Sequence, residues 1–189
     1  MSCKESNPTQ NEKCTSDVTT TACDGKWYSD CLGDTPYDFI DIESAFSTVS
    51  QDSIITKIVV SELPESLINH QSEVNEDELE YFWASRFDID NDGLKVDDLE
   101  LAVAHWKGGT GPERIDQILT FVQVDVWKYT ETGASQQCEA SVSINGDTMT
   151  ISVPRDRIND LLKIDKNTFV YYQTRYNDGN RYQDFLPEE

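Results

Sequence analysis

On either side of Asn145-Gly146 the chain alternates without a break. Ala140, Val142 and Ile144 precede the pair, Met149, Ile151 and Val153 follow it, and Ser141, Ser143, Thr148, Thr150 and Ser152 lie between these apolar residues. Alternation with period two puts successive side chains on opposite faces of a strand. Asn-Gly is the favoured dipeptide of a two-residue type I′ turn, where both central residues need positive φ. The segment therefore predicts a hairpin with Val142 opposite Met149, Ala140 opposite Ile151 and Cys138 opposite Val153, with Cys138 pointing inward. Pro154 has no N–H to give to a ladder and ends the second arm.

Similar signals recur along the chain. Ile54 to Val60 is β-branched. Leu119 to Thr130 sets Val122, Val124 and Val126 on one face and Phe121, Trp127 and Tyr129 on the other, which predicts a strand apolar on both sides. Phe169 to Tyr176 reads as another strand, followed by a turn at Asn177-Asp178-Gly179-Asn180. Arg155 to Ile164, with Ile158, Leu161 and Leu162, reads as a short helix. Many short strands separated by turns predict a mostly β chain, an antiparallel β-sandwich with one or two short helices. Residues 1–24 are polar and predict a flexible tether; residues 25–189 predict a single sandwich domain.

The 189 residues carry 36 acids against 15 Lys and Arg, a formal charge of −21. A surface of this sign repels nucleic-acid phosphates and anionic lipid, and it attracts cations. No apolar run reaches the ~18 residues of a membrane span. Met1-Ser2-Cys3 followed by a polar tract resembles a mature bacterial lipoprotein, with lipidation at Cys3 and a tether behind it. A lipid anchor is then the expected membrane contact, and the expected location is the bacterial outer membrane, periplasm or cell surface, lipid-anchored or secreted. Cys14, Cys23, Cys31 and Cys138 are an even set, consistent with disulfides in an oxidising compartment. Their spacing lacks the CxxC pairs of a zinc ribbon.

The order of features from Asp34 to Pro187 resembles the DOMON-like and carbohydrate-binding family-9-like sandwiches of bacterial surface proteins. The residues concerned are Asp34-Thr-Pro-Tyr-Asp38-Phe-Ile-Asp41-Ile42, the apolar strand Ile54 to Val60, the acidic loop Phe87 to Gly93, Asp98-Leu-Glu-Leu101, the Ser141 to Pro154 hairpin, Phe169 to Tyr176, and Asp184-Phe-Leu-Pro187. The resemblance implies a β-sandwich that binds a carbohydrate or a surface protein. The acidic loop lacks the Thr-Gly that often follows it in such proteins.

Asp88, Asp90 and Asp92 stand at alternate positions before Gly93. Calcium takes six to eight hard oxygens, and a tight turn can bring alternate carboxylates to one centre. Between Glu73 and Glu100 there are eleven acids and two bases, Arg86 and Lys95. The expected ligands are Asp88, Asp90 and Asp92, completed by Asp97 or Asp98. An EF-hand needs its bidentate Glu at the twelfth loop position, and Leu99 stands there. The flanks fit both helix–loop–helix and strand–loop–strand; strand–loop–strand agrees with the rest of the chain.

No G-x-S-x-G, HExxH or phosphate-binding glycine loop is present; His70 lies in a polar stretch, and His105 falls on the apolar face of a predicted strand, where it packs. The expectation is a non-catalytic extracytoplasmic module, stabilised by calcium, with a glycan or surface protein as partner. Trp83, Trp106 and Trp127 are candidates for stacking on sugar rings. The alternative is a lipocalin-like small-molecule carrier, suggested by Gly25-Lys26-Trp27, and an enzyme is the third choice.

Overall fold

A computed structural model describes residues 18, 20–69, 79–93, 98–106, 111–114, 123–178 and 180–187. Cys3, Cys14, His70, Asp97, Leu119–Val122 and the side chain of Trp106 lie outside the described residues.

The strands are β1 (Asp24–Ser29), β2 (Ile42–Val49), β3 (Ser53–Val60), β4 (Ser66–Asn69), β5 (Leu79–Asp88), β6 (Leu99–Trp106), β7 (Gly111–Arg114), β8 (Gln123–Thr130), β9 (Gly133–Glu139), β10 (Ser141–Asn145), β11 (Thr148–Pro154), β12 (Phe169–Asn177) and β13 (Arg181–Leu186). They form an antiparallel five-stranded sheet, β1-β2-β3-β11-β10, and an antiparallel six-stranded sheet, β13-β12-β5-β6-β8-β9; β4 and β7 pair separately. The expected β-sandwich is thus the architecture. Among the described residues the strands form two open sheets rather than one closed barrel.

The inner faces follow from the alternation. Ile54, Ile58 and Val60 from β3 and Met149, Ile151 and Val153 from β11 meet Trp83, Phe87, Leu99, Leu101, Val103, Val126, Val170 and Tyr172 from the other sheet, in one buried cluster. Each such fully buried side chain contributes about 1.5–3 kcal/mol. The outer face of the six-stranded sheet has its own small cluster, Phe82, Ala84, Ala102 and Ala104, with Trp127 against it. β5 and β6 pair as antiparallel strands, the strand–loop–strand alternative of the two that the flanks fit.

Three local expectations are corrected. The β10–β11 hairpin keeps its faces but not its register: Val142 pairs with Ile151, Ile144 with Met149 and Asn145 with Thr148. Gly146 and Asp147 are the turn, and only Gly146 has positive φ, 57°. That is the type II′ pattern, with Gly at the first central position. A two-residue slip preserves which side chains face inward. Cys138 belongs to the preceding strand β9, opposite Val126 in the other sheet rather than Val153. The expected helix after Pro154 is two 3-10 turns, Arg155–Arg157 and Asn159–Lys163. Five- and three-residue pieces are too short to sustain an α-helical ladder.

The tether boundary also moves. Thr21 and Cys23 are buried, 1% exposed each. The Val170 N–H donates to the Thr21 carbonyl at 3.2 Å and the Cys23 N–H to the Thr168 carbonyl at 3.0 Å. The segment just before β1 is therefore stitched to β12. Cys31 is buried and disulfide-bonded, with its partner outside the described residues. Neither Cys23 nor Cys138 is disulfide-bonded; Cys23 is held beside Thr168 and Cys138 beside Val126.

Candidate cation site and adjoining cleft

The β5–β6 register builds the site. Arg86 pairs with Glu100 and Phe87 with Leu99, so Asp88 and Asp98 stand opposite one another where the hairpin opens into its loop. The Ile89 N–H crosses the opening to Asp98 Oδ1 at 3.3 Å. The loop then folds back through Asn91 (φ 62°) and Gly93 (φ 75°). Both angles lie in the left-handed region, which Gly adopts freely and Asn tolerates better than most residues. The Asp92 N–H donates to Asp88 Oδ1 at 3.2 Å and the Gly93 N–H to Asp88 Oδ2 at 3.0 Å.

One carboxylate oxygen from each of Asp88, Asp90 and Asp98 falls within 4.8 Å of the other two. Oxygens bound at about 2.3–2.6 Å around a shared calcium are at most roughly 5 Å apart, so the spacing suits such an ion. Asp88 and Asp98 are buried and Asp90 is exposed. Burial first, and then the Asp88 charge, pushes Asp98 up to about 7, against the opposing pull of the Ile89 N–H and Arg86. Arg86 Nε lies 3.4 Å from Asp98 Oδ2, and its guanidinium also covers the Tyr171 ring at 4.5 Å from the centroid. Three clustered carboxylates repel one another, an arrangement that favours an added cation.

Of the expected ligands, Asp88, Asp90 and Asp98 are the ones whose carboxylate oxygens group together. The grouped oxygens do not include Asp92, which contributes its backbone N–H to Asp88 and Asp90. Strand register, not alternate spacing along the loop, brings the third carboxylate in. A second trio, Asp34, Asp41 and Asp184, was not singled out as a site by sequence reasoning. Its members come from opposite ends of the chain, so no local spacing could reveal it.

Beside the loop is an open cleft of about 290 Å³, lined by Thr20, Thr21, Asp88, Asn91, Asp92, Gly93, Phe169, Val170, Tyr171 and Pro187. Asp88 is common to the cleft and the carboxylate trio. Among the tryptophans proposed for stacking, Trp83 is 1% exposed and donates its Nε1–H to the Phe39 carbonyl at 3.0 Å. It is a core residue, placed inward by the alternation of β5. Trp127 is half-buried against the outer alanine cluster. Trp27 is exposed, 51%, with its ring 5.3 Å from that of Phe46.

His105 Nδ1 lies 3.4 Å from Glu80 Oε2, both buried. The pair is enclosed with Tyr81, whose ring centroid is 5.7 Å from that of His105, and it does not line the cleft beside the acidic loop.

Comparison with models of protein families, with curated proteins and with solved structures found no match to this chain.

Proposed function

We propose that the chain is a non-catalytic, extracytoplasmic binding module in which a calcium ion at Asp88, Asp90 and Asp98 sets the shape of a glycan-binding cleft. The observation that carries this reading is the sharing of Asp88 between the carboxylate trio and the cleft. A cation there fixes the loop that forms one wall, through the Asp92 and Gly93 amides already bound to Asp88. Tyr171, Phe169 and Pro187 give that cleft an apolar side for the C–H face of a sugar ring, and Asn91, Asp92 and Thr20 give hydroxyl partners. Binding pockets commonly combine an apolar lining with a few placed polar groups. The acidic surface and the DOMON-like order of features support a role outside the cytoplasm, with lipidation at Cys3 as the proposed anchor.

The test is a glycan array probed with the full chain in calcium and in EDTA, alongside Asp90→Asn and Tyr171→Ala. Retention of one glycan class in calcium, lost in EDTA and in both variants, is expected. Calorimetry that detects no calcium binding at millimolar concentration, together with no glycan retained in either buffer, overturns the reading.

A further inference from the structure

Asp41 immediately precedes β2 in the five-stranded sheet, Asp184 lies in β13 of the six-stranded sheet, and Asp34 lies in the connection from β1 to β2. Asp184 Oδ2 accepts the Ile42 N–H at 2.6 Å, a contact between residues 142 apart in sequence. Its Oδ1 accepts the Phe185 N–H at 2.8 Å. Asp41 Oδ2 accepts the Gly33 N–H at 2.8 Å and the Ser61 hydroxyl at 2.7 Å. One oxygen from each of Asp34, Asp41 and Asp184 lies within 4.8 Å of the other two.

The decisive atom is Asp41 Oδ1. Asp41 is only 2% exposed, and this oxygen is buried without a hydrogen-bond partner. A carboxylate oxygen shut away from water without a donor is costly, and a second buried carboxylate beside it adds like-charge repulsion. Asp184, 5% exposed, is that neighbour. Among the described residues neither Asp41 nor Asp184 forms an ion pair with a basic side chain. Asp34 is exposed and opens the trio to solvent. Three carboxylates with no thiolate or imidazole form a hard-oxygen set, the chemistry of calcium rather than of zinc or copper.

We propose that Asp34, Asp41 and Asp184 hold a second divalent cation of the calcium type, which clamps the β1–β2 connection to β13 and so ties one sheet to the other. This site shares no residue with the Asp88 loop and stands or falls separately from it.

The experiment is a calorimetric titration of calcium into the metal-stripped full chain, with Asp34→Asn, Asp41→Asn and Asp90→Asn run in parallel. Two calcium ions per wild-type chain are expected. Asp34→Asn and Asp41→Asn each weaken one of them by at least about tenfold and leave the other unchanged, whereas Asp90→Asn does the converse. Asp34 is on the surface, so Asp34→Asn keeps the inference testable if Asp41→Asn fails to fold. A single ion per chain that Asp34→Asn abolishes and Asp90→Asn leaves intact supports this site and counts against the loop. Binding that is indifferent to Asp34→Asn, or no calcium binding by the wild type, overturns the inference. A magnesium titration checks the class of ion, since magnesium demands a tighter octahedral cage; magnesium bound at this trio more tightly than calcium overturns the calcium assignment.

Discussion

The Tyr172 hydroxyl donates to Ser47 Oγ at 2.9 Å, from one sheet to the other through the middle of the core. Ser47 Oγ is 2.7 Å from Thr56 Oγ1, and Ser85 donates to Thr56 Oγ1 at 3.0 Å. All four residues are fully buried. These hydroxyls satisfy one another where no water reaches, and they fix the two sheets in one relative position.

Removing one hydroxyl leaves its partner stranded. Tyr172→Phe is expected to lower stability by about 1–3 kcal/mol in urea unfolding. The double variant Tyr172→Phe, Ser47→Ala is expected to lose less than the sum of the single variants, since both ends of the contact are then apolar. Strict additivity would show that the contact does not couple the sheets.

The tip of the acidic loop depends on Gly93, whose φ of 75° excludes most side chains on backbone grounds alone, since a Cβ there meets nothing within 4 Å. Gly93→Ala is expected to cost about 1–2 kcal/mol and to weaken calcium at the Asp88 trio, because the Gly93 N–H holds Asp88 in place. Thermal melts with calcium and with EDTA check this: the calcium-induced rise in Tm is expected to shrink in the variant.

Cys23 and Cys138, neither of them disulfide-bonded, should differ in reactivity. Burial, the largest influence, pushes Cys23 up to about 12, whereas Cys138 is half-buried on β9. Only the thiolate is nucleophilic. Iodoacetamide applied to the native protein, followed by peptide mapping, is expected to label Cys138 and to spare Cys23 until denaturant is added. Equal native labelling would contradict the packing of the segment before β1.

Acid should act in part through Asp160. Hydrogen bonds from Lys163 and then Lys128 hold its carboxyl below the ordinary value of 3.8, at 2.6 Å and 2.9 Å. A depressed folded value means the contribution is complete above the ordinary value and is lost as pH falls through the folded one. Asp160→Asn is expected to be less stable than wild type at pH 7, and the difference is expected to narrow below about pH 4. Urea midpoints at pH 7, 4 and 3 measure it; a gap that does not close as pH falls contradicts the pairing.

The fold was legible because it rests on alternation. Ile54 to Val60, Phe169 to Tyr176 and the Tyr81-Trp83-Phe87 series each state which side faces inward, and the structure agrees. The turn at Gly146 was less legible: a slip of two residues keeps every face and so leaves no trace in the hydrophobic pattern. The acidic loop was legible as a cluster that includes Asp88, Asp90 and Asp98; that strand pairing sets Asp98 opposite Asp88, while the oxygens of Asp92 stay out of the group, was not. The Asp41–Asp184 contact was illegible, because only the finished sandwich brings residues so distant in sequence together.

That separation also sets a timetable. The five-stranded sheet cannot join β3 to β10 until β11 exists, and β5 has no neighbour on one side until β12 exists. Thr21 must wait for Val170, 149 residues later. Contacts of such span slow folding, because the chain gives up its freedom before it gains the contact. A nascent chain thus holds apolar strand faces open for most of its synthesis, the condition in which partly made copies stick to one another. The excess of acids over bases, 36 against 15 in the full chain, keeps such copies apart during that interval, so the acidity that attracts cations to the finished sandwich also guards the unfinished one.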